Sequence, residues 1–389
     1  MRIIYWQYFF TPPGGWGNRR SYDFARYWTQ KGHEVWIIAG GTYFPPSLIA
    51  LLGKRRCFRT REGIPIIFLA NPYHQKQNSL QRLLSFFHFT FWSAYILFRL
   101  RRLPFLLVAT LPPPFLPFLA AMRNVLTGKP FILEMYDAWP QVPQAMGFIP
   151  SFLKIPLYKL SIWSYKKAAL VIGLSPDIVK LFPLPQIVLS YNGTRPEVFR
   201  RRRYPSFLPF RVIYAGTFGK VNHLDFLLAV AEVLKLYRSI EFWLVGDGKE
   251  RPLIEQKAQR LPQVKVFPPV PVEEVPYWLS EAHVGVSTVL PLPILASNSA
   301  NKFYDYLANG LVVGINYRGW QAEFLEEYHC GFSALTPKEF AEYIEYYYWH
   351  RDIWERATCH ARKAAEKFFD RRRLSQELLK KFAEVGCSP

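Results

Sequence analysis

The chain has 389 residues, about half of them apolar, and this length allows roughly two to three domains with sizeable hydrophobic cores. Lys and Arg number 49 against 29 Asp and Glu, which gives a formal net charge of +20, and aromatic residues make up 17% of the chain. This composition excludes an intrinsically disordered chain and favours an anionic partner. Charge alone leaves open a nucleic acid, an anionic membrane surface and a phosphorylated small molecule.

The first residues and the cysteines indicate the cellular compartment. Residues 1–6 lack the apolar run of a signal peptide and predict a β-strand instead. The four cysteines have no CxxC spacing, so we expect neither a zinc site nor a disulfide framework. We therefore expect a cytoplasmic protein, with a peripheral position on the inner face of the plasma membrane as a further possibility.

The N-terminal part alternates strands with helices. Residues 2–6 predict a strand, residues 18–31 an amphipathic helix that Gly32 terminates, and residues 34–39 a second strand. This alternation is typical of parallel strands joined by right-handed crossovers, with helices on both faces of the sheet. Further short strands are predicted at 64–69, 105–109, 131–134 and 170–173.

Two apolar stretches raise the question of a membrane span. Residues 103–121 contain five prolines, so we predict a strand, a turn and a short helix there. For residues 83–100 three interpretations stay open: a buried or interfacial helix, a helix inserted into a membrane surface, and a true span.

A charged, proline-containing stretch precedes a second series of strands and helices. Strands are predicted at 210–215, 240–245, 264–267, 284–288 and 311–315, helices at 222–236 and 250–260, and a helical region from residue 337. We therefore predict an α/β protein with two doubly wound, Rossmann-like domains. The predicted domains are 1–200 and 210–365, with a linker at 201–209 and a C-terminal helix at 366–389 that packs back on the first domain.

The loop after the first strand is a candidate anion site. It joins the strand to a helix N-terminus, where backbone N–H groups and the helix dipole favour negative charge. Gly14 and Gly15 allow a ligand to come close to the backbone, and Trp16 follows them. The pattern is not GxGxxG, and no acid follows the second strand, so we do not expect a dinucleotide coenzyme. A purely structural turn is the alternative.

A second candidate follows the strand at residues 131–134. Glu134, Asp137 and Trp139 come at the carboxyl end of this strand, where ligands bind in open α/β sheets. Asp137 is a candidate for orienting or deprotonating an acceptor hydroxyl, and Trp139 is a candidate for stacking on a sugar or a lipid. A role for Asp137 as a turn residue or helix cap agrees equally well with the spacing.

The segment 297–310 is the most informative. Ser and Asn before a short helix, and Gly310 after it, are capping signals. Lys302 and Asp305 share one helix face, and a cation in the first turn is unfavourable for the helix itself. A bound diphosphate would explain Lys302, and Asp305 could then take ribose hydroxyls. A surface ion pair is the alternative.

Two glycine turns follow strands of the same domain. Residues 216–219 include Gly216 and Gly219, and residues 246–248 include Gly246 and Gly248. Because both turns follow parallel strands, we expect them to meet the segment before Lys302 at one edge of the sheet.

Six motifs occur in an order that is similar to that of a known family. They are Gly14–Gly15, Gly32–Val35, Asp137–Pro140, Ser190–Gly193, Val245–Gly248 and Asn301–Gly310. In these motifs the chain resembles the GT-B glycosyltransferases of family 4, and within that family the WbuB-like subgroup. The resemblance runs nearly end to end.

The resemblance implies two Rossmann-like domains that face each other across a cleft. It also implies a nucleotide-diphosphate sugar held mainly by the C-terminal domain, with a UDP-sugar favoured, and an acceptor held by the N-terminal domain. No metal or other cofactor is expected, and the transfer retains the anomeric configuration.

The same resemblance assigns the site. Lys302 would contact the diphosphate, Asp305 the ribose, the loop ending at Val270 the base, and Gly219 the phosphates or the sugar. We take Asp137 and Lys302 as the catalytic candidates. The remaining expected donor contacts are Gly14, Gly15, Gly216, Lys220, Gly246, Asp247, Ser297 and Asn301, and the expected acceptor contacts are Trp16, Asp137 and Trp139.

Two positions depart from the family pattern. Asp305 takes the place of the second of two glutamates that family members carry, but the first falls on Ser297. The Arg–Lys pair expected after the first strand of the donor domain is missing, with Lys220 nearby.

Cations and aromatic side chains are mixed in the N-terminal half, which suits an anionic membrane that carries a lipid-linked acceptor. A basic surface without this function is the alternative. The residues are Arg19, Arg20, Lys54, Arg55, Arg56, Arg99, Arg101, Arg102, Phe86, Phe87, Phe89, Phe91 and Trp92.

The expected partners are a nucleotide sugar, a glycan or polyprenyl-linked acceptor, and an anionic membrane surface. No nucleic-acid module is recognisable, so we do not expect a nucleic-acid partner. A nucleotide-sugar epimerase of the same fold and an inactive relative that binds a glycan or a partner stay open as alternatives.

Overall fold

The computed structural model describes residues 1–15, 17–40, 44, 46–52, 56–69, 79–201 and 204–386. The chain divides into two compact units. Unit 1 contains Met1–Asn192, Ser297–Ser299 and the C-terminal segment from Arg371; unit 2 contains Gly193–Ala296 and Ala300–Asp370.

Unit 1 is built on one eight-stranded sheet. Its strands are β1 (Arg2–Phe9), β2 (Glu34–Gly40), β3 (Cys57–Arg59), β4 (Pro65–Leu69), β5 (Leu106–Leu111), β6 (Phe131–Met135), β7 (Leu170–Gly173) and β8 (Ile187–Leu189). Their order across the sheet is β3-β4-β2-β1-β5-β6-β7-β8. All neighbours are parallel except the edge strand β3, which is antiparallel to β4.

Helices cover both faces of this sheet. They are α1 (Arg20–Gln30), α2 (Pro46–Leu52), α3 (Ser79–Arg99), α4 (Phe115–Thr127), α5 (Gln141–Ala145), α6 (Ser151–Lys166) and α7 (Pro176–Leu181). Gly32, at a φ of 83°, follows the end of α1, because a left-handed residue is needed there. Residues 83–100 lie in α3 and the residue after it. Within the described part of the chain, no helix has both the length and the apolarity needed to cross a membrane.

Unit 2 is built on a six-stranded parallel sheet. Its strands are β9 (Phe210–Ala215), β10 (Ile240–Val245), β11 (Val264–Phe267), β12 (Val284–Ser287), β13 (Val312–Ile315) and β14 (Gly331–Ser333). Their order is β11-β10-β9-β12-β13-β14. The helices are α8 (Leu224–Val233), α9 (Arg251–Ala258), α10 (Val275–Ser280), α11 (Asn301–Ala308), α12 (Trp320–Glu327), α13 (Pro337–Trp349) and α14 (Arg351–Phe368).

The last helix, α15 (Arg371–Gly386), belongs to unit 1 and packs on α1. Arg371 makes a buried ion pair with Asp23 of α1 at 2.8 Å. The indole of Trp28, also on α1, donates to the backbone carbonyl of Ser375 at 2.9 Å. These contacts fix α15 against the sheet of unit 1.

The order of the parallel strands reverses once in each sheet, between β1 and β5 in unit 1 and between β9 and β12 in unit 2. In doubly wound sheets, ligands bind outside the carboxyl ends of the strands at such a reversal. The prediction of two doubly wound α/β units is confirmed. In unit 2, the loop after β9 and the segment that leads from β12 to α11 follow the two strands at this reversal.

The stretch predicted as an exposed linker makes packing contacts at several positions. Arg201 donates to the backbone carbonyl of Ala282 at 3.0 Å and lies 5.5 Å from the ring of Trp354. Phe207 also packs on Trp354, with ring centroids 5.7 Å apart. These contacts anchor residues 201 and 207 in unit 2, while residues 202 and 203 lie outside the described residues.

Candidate active site

Lys302 occupies the reversal point of unit 2. It is the second residue of α11, and its Nζ donates to the hydroxyl of Tyr214 and to Oδ1 of Asn222, each at 3.1 Å. The same ammonium lies 4.4 Å from the centroid of the Tyr214 ring. Both hydrogen-bond acceptors are uncharged. The side chain is therefore held in a fixed position by neutral groups, and no ion pair among the described residues compensates its charge.

The surroundings of Lys302 weaken its hold on a proton. Burial lowers the pKa of the ammonium to about 7. The residue keeps part of its surface accessible, so a ligand can reach it. Desolvation penalises the charged form of Lys302. An anion bound next to Nζ would favour protonation of the amine and would be attracted to the resulting positive charge.

The start of α11 adds to this preference for an anion. The N-cap residue is Ala300, whose side chain has no oxygen that could accept a hydrogen bond from the first N–H groups of the helix. The prediction that the preceding Ser and Asn cap the helix is wrong. Ser299 donates its hydroxyl to the backbone carbonyl of Leu174 at 2.8 Å instead. A helix N-terminus without a side-chain cap is a suitable site for phosphate oxygens.

The two glycine turns of unit 2 pack against each other. A Cβ at Gly246, whose φ is 153°, would lie 1.9 Å from the backbone oxygen of Gly216. A Cβ at Gly248 would lie 2.4 Å from the backbone oxygen of Phe218. The requirement for glycine at 246 and 248 therefore follows from the packing of one turn on the other.

Gly216 and Gly219 have a different environment. A Cβ at Gly216 would lie 3.2 Å from Cε of Lys302, so this turn is in direct contact with the lysine stem. At Gly219 the nearest atom, Nδ2 of Asn222, would be 3.6 Å away, which leaves ordinary space. Lys220 follows in an exposed 3-10 turn. The structure thus brings Gly216, Gly219 and Lys302 together at the carboxyl end of β9.

The other predicted donor residues of unit 2 lie on neighbouring segments. Asp305 is half-buried on α11 and accepts from the hydroxyl of Thr194 at 2.6 Å. Asp247 is exposed, and its carboxylate accepts from the backbone N–H of Gly248 at 2.8 Å. Asn301 is half-buried at the first position of α11, and Val270 is half-buried in the loop after β11.

In unit 1 the predicted glycines lie in the loop after β1. Gly14 is exposed at a φ of 77°, and the N–H of Gly15 donates to the carbonyl of Pro12 at 3.0 Å, which closes a turn. Trp16 lies outside the described residues. Ser297 is also part of unit 1, where its backbone carbonyl accepts from the hydroxyl of Ser175 at 2.6 Å.

The two carboxylates near the end of β6 differ sharply. Asp137 is accessible to solvent, but the protein atoms around it raise the pKa of its carboxyl above the usual value through desolvation. Glu134 is fully buried and makes an ion pair with Arg20 at 2.8 Å. Trp139 is half-buried, and its backbone carbonyl accepts from the hydroxyl of Tyr165 at 3.0 Å. Asp137 is therefore the carboxylate of this pair that a ligand can reach.

Sequence reasoning missed the residues that hold Lys302. Tyr214 is the last residue but one of an apolar strand that leads into a glycine turn, and this position is the only signal that it carried. Asn222 was placed in a helix, but it lies in the 3-10 turn before α8. Among the described residues, no three His, Cys, Asp or Glu side chains are grouped as metal ligands would be.

A family model described as glycosyl transferases group 1 matches residues 209–348, which make up most of unit 2. Anabaena Alr3699/HepE in complex with UDP is 16% identical, with a TM-score of 0.71, over 98% of this chain and 100% of that chain. The two units form the GT-B fold.

Two further GT-B structures align along almost the whole chain. Sucrose-phosphate synthase from Thermosynechococcus elongatus is 14% identical, with a TM-score of 0.76, over 98% of this chain and 99% of that chain. An E. coli structure named trehalose-6-phosphate, bound with UDP-2-fluoro glucose, is 10% identical, with a TM-score of 0.71 and complete coverage of both chains. No curated protein sequence matches the chain. Together, the family match and the fold support the GT-B glycosyltransferase superfamily.

Proposed function

We propose that the chain is a glycosyltransferase that takes its sugar from a nucleotide-diphosphate sugar bound by unit 2. The observation that carries the proposal is Lys302, a cation at the reversal point of the sheet whose hydrogen-bond acceptors are both neutral. A diphosphate supplies the negative charge that this arrangement lacks. The match of residues 209–348 to glycosyl transferases group 1 supports the same chemistry.

The proposed donor is a UDP-sugar. UDP and UDP-2-fluoro glucose are bound in two of the GT-B structures to which this chain is similar. In the proposed complex Lys302 contacts the diphosphate, Asp305 the ribose, and the loop that ends at Val270 the base. Gly219 has the open space that close approach of a phosphate or sugar requires.

Lys302 and the N-terminus of α11 account for leaving-group stabilisation without a metal. Negative charge develops on the diphosphate as the glycosidic bond breaks, and fixed positive charge and N–H dipoles stabilise it most where water is excluded. In the proposed retaining reaction, the departing phosphate oxygen takes the proton of the acceptor hydroxyl. The acceptor oxygen then bonds to the anomeric carbon on the face that the phosphate leaves.

The proposed acceptor is a glycan or a polyprenyl-linked sugar, used in the synthesis of a surface polysaccharide or glycolipid. Asp137 is accessible and Trp139 is half-buried beside it, so the pair offers a carboxylate and an aromatic surface to a sugar. Membership of the WbuB-like subgroup of family 4 is part of this proposal. Ser297, in place of the family's glutamate, favours an inactive relative as the second candidate.

Calorimetric titration with UDP, GDP, TDP and ADP in EDTA tests the donor site. We expect UDP to bind selectively. Lys302→Met should weaken UDP binding about 100-fold, which is about 2.7 kcal/mol and within the range for lost charge-assisted hydrogen bonds. Asp305→Asn should weaken it less. Lys235→Met is the control, since Lys235 is exposed and paired with Glu232 at 2.7 Å.

The outcomes separate the candidates. Failure of the folded protein to bind any nucleotide would contradict the proposal and favour the inactive relative. NMR of a UDP-sugar incubated without acceptor checks the epimerase alternative, because an epimerase would convert the donor into a second isomer on its own.

A further inference from the structure

Helix α3 exposes its aromatic side to solvent. Phe91 and Phe98 are 68% and 57% exposed, and Phe87, Trp92 and Tyr95 are each about half exposed. The opposite side of the helix, which faces the sheet, buries the hydroxyl side chains Ser85, Thr90 and Ser93 beside two phenylalanines. The usual distribution of apolar and polar side chains on a surface helix is therefore partly inverted.

The orientation of α3 is fixed by its buried contacts. Phe86 and Phe89 pack edge-on against Tyr8 of β1, with ring centroids 4.8 and 5.3 Å apart. The buried hydroxyls of Thr90 and Ser93 donate to backbone carbonyls one turn earlier, at 2.7 and 2.6 Å, so they need no solvent. The aromatic side therefore stays outward.

The exposed apolar surface continues onto the neighbouring helices. Phe87 of α3 stacks on Phe115 of α4 at 4.2 Å, and Phe118 of α4 contacts Trp163 of α6 at 5.9 Å. The three helices thus lie side by side. Three more apolar residues are largely exposed on α4 and α6: Leu126 at 76%, Phe152 at 77% and Ile155 at 68%. We call this surface the α3–α4–α6 face. An apolar face of this extent marks an interaction surface.

The charge of the face is positive. Glu134 and Asp137 are the only acidic residues between positions 63 and 176, and Glu134 is buried against Arg20. Arg101 and Lys129 lie together at the ends of α3 and α4, where Nζ of Lys129 donates to the carbonyl of Arg101 at 3.0 Å. Phosphate groups would complement this edge.

Arg123 of α4 adds positive charge below this surface. Its guanidinium lies 4.9 Å from the ring of Phe105, and both terminal nitrogens are buried without a hydrogen-bond partner in the described part of the chain.

Five of the residues that the sequence assigned to a basic and aromatic surface do not contribute to the α3–α4–α6 face. Arg19, Arg20, Phe86 and Phe89 are buried in packing contacts, and Arg56 lies in the segment that leads into β3. Lys54 and Arg55 lie outside the described residues.

We propose that the α3–α4–α6 face docks on an anionic phospholipid bilayer. The exposed aromatic and aliphatic side chains enter the interfacial region, while the exposed cations Arg101 and Lys129 contact lipid phosphates. A second copy of the chain fits less well, because self-association would bring the same cations together. The proposal rests on the proposed function for one point, that the bilayer also presents a lipid-linked acceptor.

Vesicle co-sedimentation of the full chain tests this docking without any sugar nucleotide. Binding should be strong on vesicles of equal parts phosphatidylglycerol and phosphatidylcholine, and weak on phosphatidylcholine alone. Phe91→Ser/Phe152→Ser should lower binding to the anionic vesicles by at least roughly tenfold, because two large apolar side chains no longer insert. Arg101→Gln/Arg102→Gln should lower it about tenfold on anionic vesicles and hardly at all on neutral ones.

Leu236→Ser/Trp349→Ser is the matched control, since these unit 2 residues are 86% and 64% exposed. It should bind vesicles as the wild type does. Equal binding by Phe91→Ser/Phe152→Ser and wild type would overturn the proposal. So would sedimentation of the wild type as a dimer that the same variant converts to a monomer. UDP titration of each variant separates this result from the proposed function, because donor binding by unit 2 should not change.

Discussion

Arg20 in unit 1 and Lys302 in unit 2 are cations in comparable positions but opposite electrostatic settings. Each lies in the first turn of a helix, and each packs on an aromatic ring, that of Phe24 at 4.2 Å and that of Tyr214 at 4.4 Å. Arg20 is fully buried and bonded to the carboxylate of Glu134 at 2.8 Å. Lys302 is bonded to two neutral oxygens.

The partners of Arg20 identify it as a structural residue. Its remaining donors reach the hydroxyl of Ser190 at 2.9 Å and the backbone carbonyls of Tyr191 and Asn192. Burial alone would lower the pKa of the guanidinium, but Glu134 raises it above the usual value. Arg20 therefore joins α1, β6 and the loop after β8, and its complete burial keeps it from a ligand.

The comparison shows how a buried cation can be classified from its partners. A buried cation whose carboxylate and carbonyl partners are all in place is a structural residue, because removal of its carboxylate partner would leave an uncompensated buried charge. A cation held only by neutral groups bears a desolvation cost that an incoming anion relieves. Lys302 meets the second condition, and this is why its pKa, not that of Arg20, is displaced downwards.

Removal of the charge of Glu134 should give the largest effect. We expect Glu134→Gln to destabilise unit 1 by about 3 to 5 kcal/mol, because it leaves Arg20 as an uncompensated buried charge. Denaturant unfolding measures this loss. Glu355→Gln is the control, since Glu355 pairs with Arg351 on the surface and should cost about 1 kcal/mol or less. A Glu134→Gln protein as stable as wild type would remove the distinction between the two cations.

The pH dependence of donor binding should give a smaller effect. Lys302 has a pKa of about 7 without ligand, so above neutral pH the amine is increasingly neutral and diphosphate binding must take up a proton. UDP affinity should therefore fall roughly tenfold from pH 7 to pH 8.5. Calorimetry in buffers of different ionisation enthalpy measures both the affinity and the proton uptake.

Lys302→Arg is the control for this pH profile, because arginine keeps its charge throughout the range. Tyr214 and Tyr306 do not titrate there, since burial raises the pKa of both phenols well above the usual value. The same slope in wild type and in Lys302→Arg would mean that Lys302 is not the group that takes up the proton.

The fold was predictable because its signal is local. Strands such as β1, β7, β9 and β10 coincide with apolar runs that lead into glycine-containing turns. The alternation of strands with helices indicated the α/β fold class. The strands β3, β8 and β14 were missed, since each has three residues, too few for a period to be recognised. The order of strands in each sheet depends on contacts between distant segments and carries no such local pattern.

The candidate site was predictable only in part. Lys302 was predicted as a site residue because a cation in the first turn of a helix is unfavourable for the helix itself, which indicates a bound anion. Tyr214 and Asn222 lie 88 and 80 residues before it, and no local pattern relates them. Glu134 likewise lies 114 residues from Arg20, and no local pattern indicates that the two form an ion pair. From the sequence, Glu134 was therefore grouped with Asp137 as a carboxylate at the ligand-binding end of the strand.

Removal of the Tyr214 hydroxyl should give the smallest effect and tests how Lys302 is held. This hydroxyl accepts from Lys302 at 3.1 Å and donates to the backbone carbonyl of Thr217 at 2.8 Å. In Tyr214→Phe the ring and the bond from Lys302 to Asn222 both remain, so UDP binding should weaken only about two- to threefold, roughly 0.5 kcal/mol. Tyr343→Phe should leave UDP binding unchanged, since Tyr343 is an exposed residue of α13 in unit 2. A 100-fold loss in Tyr214→Phe would instead mean that the hydroxyl itself contacts the nucleotide, and the neutral groups around Lys302 would then be ligand contacts rather than its support.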